Sequence, residues 1–148
     1  FEPAGPKNTA EPPTRLPGKP VPDARSITRR RELRLTMGMG MMGGGMGRGM
    51  RGGGAGPMGI GGFGIDGQPF DMERVDHQVR LGDTEIWRVS GDMMQHPFHM
   101  HGVHFHVLAR DGGGPDPLDA GPKDTVLVQE PVDLLVRFTK PTGRIPFM

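Results

Sequence analysis

The sequence predicts an all-β fold, a sandwich or barrel of short strands. Three observations carry that expectation. Apolar and polar residues alternate with a period of two in several short runs, the pattern of half-buried strands. Turn signals built from Gly, Pro and Asp punctuate those runs every eight to twelve residues, the spacing of sandwiches and barrels. No stretch repeats its apolar residues at helical spacing.

The length of 148 residues suits one domain. Composition narrows this, because most of the excess represented by 26 Gly and 16 Pro lies in the first 64 residues. The remainder can build only a small core, marginal by surface-to-volume reasoning, so completion by other chain or by a neighbour is expected. A net charge of +1 gives no strong field to recruit nucleic acid or an anionic membrane. The absence of cysteine excludes disulfides, thiolate zinc sites and cysteine nucleophiles. No apolar run reaches the roughly 18 residues of a membrane-spanning helix. The start, Phe1-Glu-Pro-Ala-Gly-Pro, does not have the form of a signal peptide.

Residues 1–26 read as a linker. Seven prolines within 1–23 remove too many backbone donors for a sheet and favour an extended path laid over a domain surface. The run 26–36 opens the domain, with Leu33 and Leu35 on one face and Arg34 and Thr36 on the other. Its Arg29-Arg30-Arg31 triplet reads as a solvated strand end. Residues 37–62 form an insertion, and 37–58 alone hold seven Met and eleven Gly. That glycine density cannot sustain regular structure unaided. Thioether sulfur is soft and selects Cu(I), so Cu(I) handling stands beside a merely tolerated insertion.

From residue 63 strands recur. Phe63-Gly-Ile precedes an Asp66-Gly67 turn signal. The run 77–81 alternates, with Val79 and Leu81 together, and Gly82-Asp83 makes a turn. The run 85–90 sets Ile86 and Arg88 opposite Trp87 and Val89. A strand over 98–108 carries histidines, a Gly/Pro loop follows over 111–122, and runs 125–128 and 133–138 close the series. The loop has room for one short helix at 114–122 and no periodicity that demands it.

The chemistry concentrates in His96-Pro-Phe-His-Met-His-Gly-Val-His-Phe-His106, which holds five of the six histidines. His99 and His101 are two apart, so in a strand both imidazoles face the same way. Pro97 favours a strand start or edge, so His96 should point away from that pair. One segment would then serve two sites. Val103, Phe105 and Val107 continue the His99/His101 face as core; His104 and His106 face oppositely and read as polar surface, as does His77. Imidazole ligands suit Zn, Cu, Fe and Ni alike. The His-Glu-x-x-His helix of zinc hydrolases is missing, and so is the Glu that would follow a cupin-type His-x-His.

These residues resemble a known family. His96-Pro-Phe-His-Met-His-Gly is similar to the His-Pro-x-His-x-His-Gly motif in the last cupredoxin domain of multicopper oxidases. Asp66-Gly-Gln-Pro-Phe-Asp-Met, Gly82-Asp-Thr-Glu-Ile-Trp-Arg-Val and Lys123-Asp-Thr-Val-Leu-Val resemble its flanking strands. The methionine-rich insertion and Gly91-Asp-Met-Met-Gln-His96 point to the bacterial copper-resistance branch, the periplasmic cuprous oxidases.

The resemblance implies a cupredoxin-like Greek-key β-sandwich or barrel, with 27–148 as a partial third domain. It implies that His96 ligates a type-1 copper, His99 a type-2 copper and His101 one of a binuclear type-3 pair. Asp92 and Met94 resemble the catalytic carboxylate and thioether that hold substrate Cu(I), joined by Met37, with Met39, Met41 and Met42 as further thioethers. The activity implied is oxidation of Cu(I), and of phenols or other metals, with four-electron reduction of O2 to water. The family's last domain ends in a His-Cys-His strand with a further His and an axial Met, and the sequence ends at Phe147-Met148 before it. The final copper-ligand strand is thus expected to be missing, and other domains, in the same or a companion chain, should supply the remaining ligands. Two alternatives are a non-catalytic copper-buffering module and a relic fold with vestigial ligands.

Overall fold

The structure, a computed structural model, describes residues 11–16, 21, 23, 26–37, 63–71, 73–92, 94–141 and 143, with Met37 and Phe63 described by their backbone. The strands in chain order are β1 (Ile27–Met37), β2 (Phe63–Ile65), β3 (Gln68–Pro69), β4 (Thr84–Gly91), β5 (His96–His99), β6 (Phe105–Arg110), β7 (Thr125–Val128) and β8 (Val132–Arg137). A 3-10 turn, Pro117–Asp119, is capped by Asp116. The expected strands at both ends of the series, the Asp66-Gly67 hairpin and the all-β class are all present. Both hairpin residues have positive φ, 53° and 75°, which a short-side-chain residue followed by Gly tolerates.

The strands form two sheets. The larger has the order β3-β2-β1-β4-β8-β6, and the smaller pairs β5 with β7. β1 runs parallel to β4, with Arg31 opposite Trp87 and Leu35 opposite Gly91; the other pairings are antiparallel. The core lies between the sheets. Leu33, Leu35, Trp87, Val89, Val132, Leu134, Val136, Phe105 and Val107 enter it from the large sheet, and Phe98, Val126 and Val128 from the small one. Alternation explains each choice, since these residues sit two apart along their strands. Each fully buried aliphatic or Phe side chain stabilises the fold by about 1.5–3 kcal/mol.

Two carboxylates are also buried among the described residues, Asp119 at 6% exposed and paired with Arg110, and Glu85. Glu85 is 1% exposed. Its carboxylate accepts from Arg31 Nε at 2.6 Å, Arg31 Nη2 at 3.0 Å and Trp87 Nε1 at 2.8 Å. Burial pushes its pKa up, but the Arg31 and Trp87 hydrogen bonds and the Arg31 and Arg29 charges outweigh that and hold it below the usual value. Arg31 therefore departs from the expected solvated triplet: Arg29 and Arg30 are exposed, while Arg31 stacks over Trp87 and ties β1 to β4.

Four other expectations are corrected. The run 77–81 is irregular. Val79 and Leu81 are exposed, and the Gln78 carbonyl accepts from Arg31 Nη2 at 2.7 Å rather than from a neighbouring strand. His77 is half-buried against the Trp87 ring, with centroids 5.8 Å apart, and is not a surface residue. The expected strand over 98–108 is broken by a turn at His101-Gly102, where Gly102 has φ 73°. The chain thereby leaves the small sheet and enters the large one. Val103, Phe105 and Val107 are core as expected, but they do not share the face of His99: on β5 the core face belongs to His96 and Phe98.

Candidate metal centre

β5 places its histidines on opposite faces. His96 and Phe98 are buried, whereas Pro97 is exposed and His99 half-buried. The backbone register sets His96 opposite Val128 and His99 opposite Thr125. His96 points away from the His99/His101 pair, as the strand parity required.

The His96 ring is 7% exposed and rests directly on Gly91. A Cβ at Gly91 would sit 2.6 Å from His96 Cδ2, so glycine is what makes room for the imidazole. His96 Nε2 lies 3.0 Å from the Asp92 carbonyl oxygen. A carbonyl only accepts, so Nε2 carries the proton and Nδ1 the lone pair. The same carbonyl accepts from Met94 N at 2.6 Å. One oxygen thus ties the 92–94 turn to the His96 ring. Asp92 N in turn donates to the Leu35 carbonyl at 3.1 Å, anchoring the turn on β1. Met94 is exposed beside an open hollow lined by Gly91, Gln95 and Gln129.

On the other face, His99 Nδ1 lies 2.9 Å from the Asp124 carbonyl and 2.8 Å from Thr125 Oγ1. The carbonyl fixes Nδ1 as the protonated nitrogen, and the Thr125 hydroxyl, which donates to Asp124 Oδ1 at 3.1 Å, accepts from His99. Nε2 is left as the lone-pair nitrogen. The exposed His101 packs edge-on against His99, with centroids 4.5 Å apart at 71°. The structure therefore brings His99 and His101 together and places Asp92 and Met94 beside His96. The Met37 side chain and Met39, Met41 and Met42 lie outside the described residues.

The donor set fits copper. Each β5 histidine has one nitrogen held by a carbonyl, the arrangement that orients a ligating imidazole and raises its basicity, and neutral imidazole suits copper. Among the described residues no three His, Asp or Glu side chains converge as a metal site, so a centre at His99 and His101 needs donors from elsewhere.

Sequence reasoning passed over Arg34, Asp124, Thr125 and Glu85. The first three act through backbone register, which alternation does not specify. Glu85 did leave a signal: it shares the face of buried Trp87, so it required a cation on the adjacent strand. His104 and His106 line a cleft of about 270 Å³ with Arg137 and Lys140; burial lowers the His106 pKa.

Residues 35–145 match the multicopper oxidase family. The cell division protein FtsP of Dickeya dadantii (strain 3937) is 44% identical over 86 residues, covering 57% of this chain and 18% of that protein. Among solved structures, the laccase-like multicopper oxidase CueO from the lignin-degrading bacterium Ochrobactrum sp. superposes with a TM-score of 0.66 at 28% identity, over 93% of this chain and 30% of the other. A multicopper oxidase from Pediococcus acidilactici gives a TM-score of 0.57 at 30% identity, over 90% of this chain and 24% of the other. The chain spans less than a fifth of the curated relative's length and less than a third of either structure's. The likeness makes the two sheets a cupredoxin-like sandwich. With most of its length inside the match, this chain belongs to the multicopper oxidase family.

Proposed function

We propose that this chain is part of an oxidase that takes electrons from Cu(I), and from phenols at the same entry point, and passes them to O2. In balance, four Cu(I), one O2 and four protons give four Cu(II) and two water molecules. The observation that carries the reading is the Asp92 carbonyl, which accepts from both Met94 N and His96 Nε2. An electron donor held at the 92–94 turn is one hydrogen bond from the His96 ring.

The roles are as follows. Asp92 and Met94 hold Cu(I) as substrate, offering one carboxylate and one thioether. His96 is the ligand at the electron-entry centre, its ring seated on Gly91. His99 and His101 are ligands on the dioxygen side, with His99 oriented by Asp124 and Thr125. Bound copper would supply one-electron acceptance at His96 and dioxygen reduction at His99 and His101. Type-1 copper at His96, type-2 at His99 and type-3 at His101 is the assignment proposed. Pro97 and Phe98 link the two sides covalently through the backbone. In this reading 1–26 is a linker, 27–148 is part of a third domain, and the other domains complete both centres. The copper-resistance branch that the motif resembles works in the periplasm, and the proposal places this chain there, in copper tolerance.

The test uses the full-length protein loaded with copper. His96→Ala should abolish the blue thiolate band while part of the remaining copper is retained. Equal loss of all copper on that substitution would refute the two-sided assignment. Wild-type protein that shows no blue band and consumes no O2 with Cu(I) would sink the oxidase reading. That second result would favour the role suggested by the FtsP likeness, a cell-division protein without oxidase turnover; copper retained without turnover would favour a buffering module.

A further inference from the structure

Arg34 holds Asp92. It is the outward-facing residue between Leu33 and Leu35 on β1, in register with Ser90, and it reaches the residue just beyond the end of β4. Its Nε lies 2.9 Å and its Nη2 2.7 Å from the same Asp92 oxygen, Oδ1. Among the described residues, Oδ2 has no hydrogen-bond or ion-pair partner. The pair is open to water, with the Arg34 side chain 65% and the Asp92 side chain 32% exposed. It therefore adds little to stability, and its main effect is on the charge that Asp92 presents.

We infer that Arg34 is a specificity-determining residue that neutralises Asp92 and so biases the 92–94 turn toward soft monovalent cations. This rests on the reading of Asp92 and Met94 as a cation site. A hard dication binds through carboxylate charge, and a carboxylate already paired with a guanidinium offers little of it. A soft cation keeps its attraction to the Met94 thioether, which carries no charge to be cancelled. The open Oδ2 remains as one oxygen donor of the same turn. The positive charge of Arg34 also acts twice as strongly on a dication as on a monocation at the same distance. Across about 4 Å of water-like medium at low salt, that repulsion amounts to about fivefold in affinity for a monocation and about twenty-fivefold for a dication.

The experiment follows the carbon-labelled methyl group of Met94 by NMR in the full-length protein, titrated with Ag(I) as the soft monocation and Mn(II) as the hard dication. Arg34→Gln should tighten Mn(II) binding by about twenty-fivefold and Ag(I) binding by about fivefold. Arg34→Lys, which keeps the charge, should restore the wild-type preference. Arg34→Gln/Asp92→Asn should bind Mn(II) more weakly than Arg34→Gln, because the carboxylate that holds the dication is gone. An equal change for the two ions, no change, or Mn(II) binding to Arg34→Gln that Asp92→Asn does not weaken would overturn the inference while leaving the cation site standing. If Asp92→Asn alone leaves Ag(I) binding at Met94 untouched, both the site and the inference fall.

Discussion

Gly91 and His96 act as one unit. The glycine needs no special backbone angle, since its φ lies outside the positive range; it is required because the imidazole fills the space a methyl group would take. Gly91→Ala should therefore push the ring off the Asp92 carbonyl and cost about 1–3 kcal/mol by overpacking, read as a lower urea midpoint with displaced His96 imidazole resonances in NMR. Glu85 shows the opposite economy, a charge that is buried and fully partnered. Glu85→Gln leaves the Arg31 charge without its counterion and should destabilise the fold by about 3–5 kcal/mol. Acid should act in the same direction. Burial opposes ionisation of Glu85 and Asp119, but their arginine partners win, and both sit below their ordinary values of 4.5 and 3.8. A depressed carboxyl contributes stability above its unfolded value, and that stability is lost as pH falls through the folded value. Burial first, then the Arg31 charge, lowers the His77 pKa, and burial alone lowers that of His106, each from 6.5. Their contribution is also present at high pH and lost on acidification. The urea midpoint should decline in two stages, a shallow one below about pH 6.5 and a steeper one below about pH 4.5. Glu85→Gln should flatten the second stage.

At the scale of elements, β5 is four residues long and does three tasks. Phe98 anchors it in the core with no exposed surface, His96 turns inward beside it, and His99 turns outward. Because Phe98 sits between the two histidines, Phe98→Ala should cost about 3–5 kcal/mol in urea unfolding. The imidazole resonances of His96 and His99 should shift together; a shift confined to one would mean that the strand does not couple the two faces. The strand parity that separates His96 from His99 was readable in the sequence, because a period of two needs only local geometry. The turn at His101-Gly102 was not. Alternation continues through 98–108 whether the chain stays in one sheet or crosses to the other, so the pattern cannot tell a single strand from two. The run 77–81 failed for a related reason: its alternation is real, but Arg31 satisfies the Gln78 carbonyl and, among the described residues, the run pairs with no strand.

For the whole molecule, the consequence is a division of exposure. His96 is sealed between the sheets, while His99 and His101 sit on the outer face of β5 and the turn that follows, with Pro97 and Leu127 exposed nearby. Cu(II) added in small increments should broaden the His99 and His101 imidazole signals before that of His96, and earlier broadening of His96 would contradict the burial assigned to it. The all-β class, the strand series, the Asp66-Gly67 hairpin and the cluster of candidate ligands were determined by the sequence, because each depends on spacing along the chain or on side-chain chemistry. Which nitrogen of each histidine is held, the seat that Gly91 makes for His96, the Arg31-Glu85 pair under Trp87 and the grip of Arg34 on Asp92 were decided only by the tertiary structure. Each brings together residues far apart in the chain or fixes a ring against one particular carbonyl, and no periodicity encodes such a meeting.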